Sequence, residues 1–321
     1  MPATRIGQGQ QEEGWGKVRL TCKRSRFGGP PACPSPLRRP APSTPSRPPR
    51  WPPRTPGWPR SSLAARRRGP PGRGAPRGRG GPGPTGSPPH GAELDAFIAW
   101  DAEQVLRDYG QAGRPDVIAT FGLHRYAWPA CLLITLPWFL LGRVPRFPVD
   151  QVAYDRTEGR MAVRTGAFAC LPDDPAAGMP GARVVPDEEA LRGEVRAAVA
   201  EHLEPLLAGF GPRMRRRGRA LWGMATDELV ESLWYLGHLL GEEQRVMTEL
   251  ERLLPGATRP YVGTAAFREL TGPQGEALPT RDRASCCMFY TLRPEDTCVT
   301  CPRTCDADRV SKLTATAATT A

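Results

Sequence analysis

Residues 283–305 read RASCCMFYTLRPEDTCVTCPRTC and contain five of the nine cysteines of the chain. Adjacent cysteines at 286 and 287 are followed by a ten-residue spacer, by the C-x-x-C pair Cys298 and Cys301, and by Cys305. A C-x-x-C turn brings two sulfurs to one side of the chain, where both can bind the same metal centre. The spacing therefore predicts that this segment folds as a loop around a metal centre or a redox-active dithiol.

The adjacent pair Cys286 and Cys287 favours a cluster over a single metal ion. Four thiolates suit zinc or an iron–sulfur cluster. Neighbouring side chains of an extended chain point to opposite faces, and a [2Fe–2S] cluster tolerates divergent sulfurs because its ligands are spread over two iron atoms. We therefore expect a [2Fe–2S] cluster, while a structural zinc site and a redox dithiol stay open as alternatives.

The residues around the cysteines suit an anionic cluster. Met288, Phe289 and Tyr290 can exclude water from it. Positive charge nearby stabilises the cluster anion and raises its potential, because it favours the more negative reduced form. The arginines that supply this charge are Arg281, Arg283, Arg293 and Arg303.

Composition and charge divide the chain near residue 90. Residues 1–90 hold 21 of the 38 prolines, 15 of the 35 glycines, and 18 basic against two acidic residues. Such a stretch buries too little apolar surface to offset its ordering entropy, so we expect 1–90 to be a disordered tail or the product of a misassigned start. Residues 91–321 hold 26 Lys and Arg against 31 Asp and Glu, a net charge of −5, which argues against specific nucleic-acid binding.

Hydrophobic periodicity predicts a mainly α-helical single domain of the α+β class. The body spans 91–280, the cluster-binding segment 281–305 closes its C-terminal end, and 306–321 is expected to be a disordered polar tail. Residues 151–164 alternate around a turn-forming segment, which predicts a β-hairpin. Helices are predicted over 92–109, 187–209, 217–241 and 242–254. Asp187 is the predicted N-cap of the second helix.

One apolar stretch, 127–142, raises the question of a membrane. Its 16 residues are interrupted by Pro129 and Pro137, whereas a spanning helix needs roughly 20 apolar residues. We expect a buried helix-and-turn segment, with peripheral membrane contact as the alternative. No secretory signal is visible, so we predict a cytoplasmic, reducing location in which Cys131 and Cys170 are buried core residues.

Other chemistry-bearing motifs are few. The sequence shows no G-x-S-x-G, no Walker motif and no G-x-G-x-x-G between a strand and a helix. His124, His202 and His238 lie at no metal-ligand spacing, and we expect surface or core roles for them. The basic run from Arg213 to Arg219 is unusual near a helix N-terminus, which favours anions, and is a candidate for docking an acidic electron donor.

The pattern C-C-x10-C-x2-C close to the C-terminus resembles that of the FhuF-like ferric iron reductases, also called ferric siderophore reductases. The likeness includes Arg283 before the pair, the aromatic residues Phe289 and Tyr290 after it, and Pro302 after the last cysteine. Upstream, residues 221–223 are similar to the Leu-Trp-Gly segment of that family. The motif covers about 20 residues, and a looser likeness extends over most of 91–305.

This resemblance implies a [2Fe–2S] cluster held by Cys286, Cys287, Cys298 and Cys301. Cys305 lies outside the four-cysteine pattern and is the candidate substitute ligand. The implied activity is that of a ferric siderophore reductase, which passes one electron to Fe(III) in a hydroxamate-type siderophore and releases Fe(II) in the cytoplasm. No catalytic residue beyond the cluster is required.

Partners and alternative functions follow from the same residues. The chain has no flavin or NAD(P)H fingerprint, so its electrons are expected from a separate donor protein. Trp222 and Arg283 are the candidates for siderophore docking. Two other functions fit the cysteine pattern: a zinc-stabilised binding or regulatory protein with a structural four-cysteine site, and an iron–sulfur electron carrier or sensor without siderophore activity.

Overall fold

Helices dominate the part of the chain that the structure describes. The structure is a computed structural model that describes residues 92–155, 160–164, 166–295 and 297–320. The disordered tail expected over 1–90 lies outside these residues. The helices within them are α1 Ala92–Tyr109, α2 Pro115–Leu141, α3 Glu188–Met214, α4 Gly218–Leu240, α5 Glu243–Leu253 and α6 Asp306–Thr320.

Short strands form three small sheets within the described residues. The strands are β1 Val144–Pro145, β2 Val152–Asp155, β3 Arg160–Val163, β4 Phe168–Cys170, β5 Ala182–Val184, β6 Phe267–Thr271 and β7 Ala277–Arg281. β1 pairs antiparallel with β4, which pairs parallel with β5. β2 and β3 form the hairpin predicted for 151–164, and β6 and β7 form a second hairpin that was not predicted. The α+β class with a mainly helical body is thereby confirmed.

Helix α3 begins as predicted and ends later than predicted. The Asp187 side chain accepts a hydrogen bond from the Ala190 N–H at 2.8 Å, which is the expected N-cap. Gly209 does not end the helix, because Phe210 and Met214 continue its buried stripe into the core. Burial of apolar side chains outweighs the weak helix propensity of one glycine.

Helix α2 corrects the helix-and-turn prediction for 127–142, because one continuous helix of 27 residues runs through both prolines. A proline inside a helix frees the carbonyl four residues earlier. For Pro129 this is the Arg125 carbonyl, which accepts a hydrogen bond from the Tyr154 hydroxyl at 3.4 Å. The prolines are therefore accommodated within a helix that packs on α3 and α4.

By length and composition, α2 is also the one helix among the described residues that is able to cross a membrane. Its apolar window has a mean hydropathy of 1.3, and 61% of that window is buried inside the protein. Such burial is typical of the core helix of a globular fold. Cys131 on α2 and Cys170 on β4 are buried, as predicted.

Helices α4 and α5 pack closely at Gly237. A Cβ at this position would lie 2.6 Å from Cγ2 and 2.8 Å from Cβ of the buried Val246. We predict that Gly237→Ala lowers the free energy of unfolding by about 1–3 kcal/mol through overpacking, although alanine is the better helix former. Urea unfolding followed by circular dichroism measures this change.

Gly193 in α3 provides the matched control. A Cβ there would meet only the flexible end of the Arg196 side chain, at 3.7 Å. Gly193→Ala should therefore raise the free energy of unfolding by up to about 1 kcal/mol. Equal effects of the two substitutions would show that the α4–α5 contact is not tight at Gly237.

Candidate metal centre

A buried carboxylate on α4 fixes the chain just before the cysteines. Oδ1 of Asp227 accepts hydrogen bonds from Arg281 Nη2 and from the Ala284 N–H, both at 2.9 Å. Oδ2 accepts from the N–H and the hydroxyl of Ser285, at 2.8 and 2.6 Å. With four donors on one carboxylate, the backbone that enters the cysteine pair is held against α4.

Arg281, at the end of β7, compensates the charge of that carboxylate. Its side chain is fully buried, and Nη1 donates to Glu231 Oε1 at 2.9 Å while Nε donates to the Ala265 carbonyl at 3.0 Å. A buried charge is tolerated only when it is paired and hydrogen-bonded. The Asp227–Arg281 pair meets both conditions. Without Asp227, Arg281 would keep only Glu231, and without Arg281, Asp227 would keep only the more distant charge of Arg283.

Helix α6 corrects the prediction of a disordered tail over 306–321. Its buried Arg309 donates from Nη2 to the Cys301 carbonyl at 3.1 Å and from Nη1 to Asp282 Oδ1 at 2.7 Å. Nε donates to the Thr304 carbonyl at 3.2 Å. This helix has little signal in the sequence, because its residues lack a strong apolar stripe and a polar side chain holds it in place.

Four of the five clustered cysteines contact one another. The sulfur of Cys286 lies close to that of Cys301, and the sulfur of Cys298 lies close to those of Cys287 and Cys301. These contacts do not include Cys305, which lies half-buried just before α6. The tertiary structure thus brings together the adjacent pair and the C-x-x-C pair, which the spacer separates in sequence.

Backbone N–H groups also point at two of these sulfurs. The Met288 N–H donates to Cys286 Sγ at 3.3 Å, and the Arg303 N–H donates to Cys301 Sγ at 3.4 Å. Met288 adopts a left-handed conformation with φ of 65°, which turns the chain sharply after the cysteine pair. Such N–H donors stabilise thiolates and tune the potential of iron–sulfur clusters.

The donor set fits a [2Fe–2S] cluster, since four cysteine thiolates are the ligands that this cluster takes. Nowhere in the described ranges are three or more His, Cys, Asp or Glu side chains grouped as a site for one metal ion. Two of the close sulfur pairs, Cys286 with Cys301 and Cys287 with Cys298, combine one cysteine from each half of the motif. A cluster with two irons takes two thiolates on each metal.

Arg283 places a buried positive charge beside Cys287. Its side chain is 2% exposed, and Nε lies 3.6 Å from Asp227 Oδ2. Within the described residues, Nε has no hydrogen-bond partner. The contact with Cys298 lowers the pKa of Cys287, and the positive charge of Arg283 lowers it further, against the opposing effect of burial. Arg283 therefore favours the thiolate form of Cys287, which is the form that binds iron.

His124 lies closer to the cysteines than the sequence predicted. Its Nδ1 is 2.7 Å from both carboxylate oxygens of the buried Glu228 on α4. Burial disfavours protonation of His124, but the contact with Glu228 outweighs it and raises the pKa of the imidazole, with a smaller contribution from Cys287. No sequence signal could reveal this site, because the two partners are 104 residues apart.

The other described histidines have the surface and core roles that were predicted. His202 is buried, with Nδ1 2.7 Å from the Phe147 carbonyl and Nε2 3.1 Å from the Tyr126 hydroxyl. His238 is exposed at the end of α4. Neither lies among the cysteine contacts.

The spacer between the cysteine pairs packs on α1 and α2 through aromatic side chains. The ring of Phe289 makes edge contacts with Tyr109 at 5.7 Å and Phe121 at 6.2 Å between centroids. Met288 packs with Leu292 in a small apolar cluster formed with residues of α1 and α2. One side of the loop is therefore shielded from water, as the sequence indicated.

The upstream Leu-Trp-Gly segment contributes its glycine to the site, not its tryptophan. A Cβ on Gly223 would lie 3.5 Å from the Ala284 carbonyl oxygen, so this position of α4 faces the cysteine loop. Trp222 instead makes an edge contact with Tyr261 in the core, at 5.7 Å between centroids. This geometry gives Trp222 a packing role.

We predict that Asp227→Asn lowers both stability and cluster retention. The substitution preserves shape but removes the fully buried carboxylate charge beside Arg281, which then pairs with Glu231 alone. Breaking a buried ion pair costs about 3–5 kcal/mol in comparable cases. Asp306→Asn is the matched control, since Asp306 pairs with Arg268 at the surface and should change stability by no more than about 1 kcal/mol. Iron and sulfide per chain, with urea unfolding, measure both effects, and equal iron retention would contradict the prediction.

A second prediction concerns α6. Deletion of residues 306–321 or the substitution Arg309→Lys should speed iron loss to a chelator, because the Cys301 and Thr304 carbonyls lose their shared donor. Deletion of 316–321 alone, which leaves Arg309 in place, should not. Release rates that are the same for all three variants would support a dispensable tail.

Comparison with known proteins finds a family model that matches the cysteine loop. Residues 283–303 match the family model described as FhuF 2Fe-2S C-terminal domain. The matched segment contains the four cysteines in mutual contact and ends before Cys305. Neither the curated proteins nor the solved structures gave a match. Residues 283–303 are therefore similar to the 2Fe–2S domain of FhuF-like proteins, and the cofactor is a [2Fe–2S] cluster.

Proposed function

We propose that this protein is a ferric siderophore reductase, which transfers one electron to Fe(III) held by a hydroxamate-type siderophore. The observation that carries the proposal is the FhuF 2Fe-2S match over 283–303, the segment whose cysteines converge in the fold. At a coarser level, the same match identifies an iron–sulfur protein that is similar to siderophore-iron reductases.

The proposed cluster ligands are Cys286, Cys287, Cys298 and Cys301. Their mutual sulfur contacts support this set, as does their position inside the matched segment. Cys305 lies outside both. We assign it no ligand role.

When bound, the cluster would supply one-electron chemistry for the reduction of Fe(III) in the substrate to Fe(II), with the electron coming from the donor protein. The chain's own residues hold and tune the site. Asp227 and Arg309 fix the two sides of the cysteine loop. Arg283 supplies buried positive charge, and Phe289 helps to exclude water. No side chain is needed as a general acid or base for such a transfer.

Iron release follows from the chemistry of the chelator. Hydroxamate oxygens are hard ligands that bind Fe(III) far more tightly than Fe(II), so reduction frees the metal. The substrate is expected to approach the partly exposed cysteines Cys286, Cys287 and Cys298, since Cys301 is buried. We place this reaction in the cytoplasm, with electrons supplied by a separate donor protein.

Two measurements on the full chain test the proposal. Protein purified without oxygen should be red-brown, contain about two irons and two sulfides per chain, and bleach on reduction. The reduced protein, mixed with a ferric hydroxamate, should regain the oxidised spectrum in a single turnover while a ferrous chelator traps the product.

The outcomes separate the alternative functions. A colourless protein with one zinc per chain, which cannot be reconstituted with iron and sulfide, would indicate a structural zinc site with four cysteine ligands. A [2Fe–2S] protein whose reduced form is not oxidised by ferric hydroxamates would be an electron carrier or sensor. Either result would overturn the reductase.

Serine substitutions test the ligand assignment. We predict that serine at position 286, 287, 298 or 301 abolishes or strongly alters the visible spectrum, because an alkoxide oxygen replaces a thiolate sulfur on iron. Cys305→Ser should keep the iron content and the spectrum of the unchanged protein. Cluster loss in Cys305→Ser, together with retention in one of the other four, would reassign the fourth ligand.

A further inference from the structure

Exposed or partly exposed arginines from three separate parts of the chain lie near the cysteine loop. Arg114 precedes α2, with a side chain that is 59% exposed. Arg293 lies in the spacer and is 43% exposed. The set, called here the arginine face, consists of the exposed or partly exposed residues Arg114, Arg215, Arg293 and Arg303.

Arg303 and Arg114 form one side of the arginine face, and their contacts place this side near the loop. The guanidinium of Arg303 lies over the Tyr290 ring, 4.2 Å from its centroid. Arg114 forms an ion pair with Asp116 at 2.6 Å. The pKa of Asp116 is lowered mainly by Arg114, with a smaller effect of Arg215, so the α3–α4 loop lies near this pair.

Arg293, in the spacer between the cysteine pairs, forms the other side of the arginine face. The guanidinium of Arg293 lies 5.6 Å from the ring centroid of Tyr109, which packs against Phe289. Glu295 approaches Arg293 at 3.9 Å, a loose surface pair. Positive charge therefore exceeds negative charge around the half-buried edge of the loop.

In the structure, the arginines of the basic run from Arg213 to Arg219 have different surroundings. Arg213 is turned to Asp95 on α1 and to the Gly209 carbonyl. Arg216 donates to the Cys286 carbonyl at 2.8 Å and so ties the α3–α4 loop to the cysteine pair. Arg215, Arg217 and Arg219 are exposed beside it.

The chemistry of the site disfavours two occupants of this face. Three hydroxamates balance the charge of Fe(III), so a ferric hydroxamate gains little from a broad positive surface. The stretch 1–90 is strongly basic and is repelled by it. An occupant of opposite charge must come from elsewhere.

Nucleic acid is also disfavoured. Residues 91–321 carry a net charge of −5, so the surface beyond the arginine face repels a long polyanion. A small acidic protein, unlike a long polyanion, is able to contact the arginine face without touching the surface beyond it. Redox partners typically form small interfaces that electrostatic attraction assembles quickly.

We propose that the arginine face docks the electron donor, a small acidic one-electron carrier protein, over the exposed edge of the cysteine loop. This inference rests on the proposed function, since it supplies the donor that the reaction needs. It places that donor on a defined surface whose arginines come from the α1–α2 loop, the α3–α4 region and the cysteine loop.

Binding of an oxidised acidic flavodoxin to the full, cluster-loaded chain tests the proposal without any electron transfer. Affinity should fall steeply as salt is raised, because surface charge attraction is screened. Arg215→Glu/Arg293→Glu should weaken binding at low salt by at least about tenfold. The neutral variant Arg215→Gln/Arg293→Gln should show a smaller loss, and iron content verifies that each variant is loaded.

Arg183→Glu/Arg252→Glu is the matched control, with the same charge change at two exposed arginines on β5 and α5. Affinity within about twofold of the unchanged protein is expected for it, since both sites lie outside the face. All variants carry the same basic residues 1–90, so any attraction by that stretch cancels in the comparison. Equal weakening by both reversed pairs would overturn the proposal.

Two further probes give distinct outcomes. In the first outcome, duplex DNA or anionic lipid vesicles bind in a salt-sensitive way, Arg215→Glu/Arg293→Glu abolishes that binding, and flavodoxin does not bind. The arginine face would then be a site for those polyanions instead. Flavodoxin binding that depends on the face, in a protein that fails to reduce ferric hydroxamates, would contradict the proposed reductase and leave the docking surface standing.

Discussion

The buried carboxylate of Asp227 is the constraint on which the metal centre depends. It joins α4 to the end of β7 through Arg281 and to the start of the cysteine loop through Ser285. An unpaired charge at this depth would cost far more than the pair gains. All of the partners must therefore be in place together, and the cysteine pair is positioned as a consequence of helix packing.

A second buried charge, that of Arg309, holds the other end of the cysteine loop. Arg309 on α6 bonds the carbonyls of Cys301 and Thr304 and the carboxylate of Asp282. Asp227 thus holds the chain before the first two cysteines, and Arg309 holds it after the last two. A loop tied at both ends keeps its sulfurs close together before any metal is bound, which reduces the ordering cost of binding.

The arginines around the loop lie at two depths, one buried and one exposed. Inside, Arg283 lies between the cysteines and the acidic side chains of α4. Outside, the exposed arginines of the arginine face lie near the loop. Buried charge acts on the potential and protonation of the site, because it is little screened, whereas exposed charge acts on partners that approach through solvent. One residue type therefore serves two purposes according to its burial.

The sequence by itself determined the features that local pattern encodes. Periodic apolar residues marked α1, α3, α4 and α5, alternation marked the β2–β3 hairpin, and the cysteine spacing marked the iron–sulfur segment. These signals suffice because a helix stripe, a hairpin or a C-x-x-C turn depends on residues that are close together in the chain.

Only the tertiary structure decided what depends on distant partners. Pro129 does not interrupt α2, because Tyr154 meets the carbonyl that the proline frees. The C-terminal segment is a helix because Arg309 finds buried acceptors in the loop. His124 is a neighbour of the cysteines through Glu228, more than a hundred residues away. Each of these outcomes results from satisfying a buried polar group across the fold, and such pairings leave no periodic trace in the sequence.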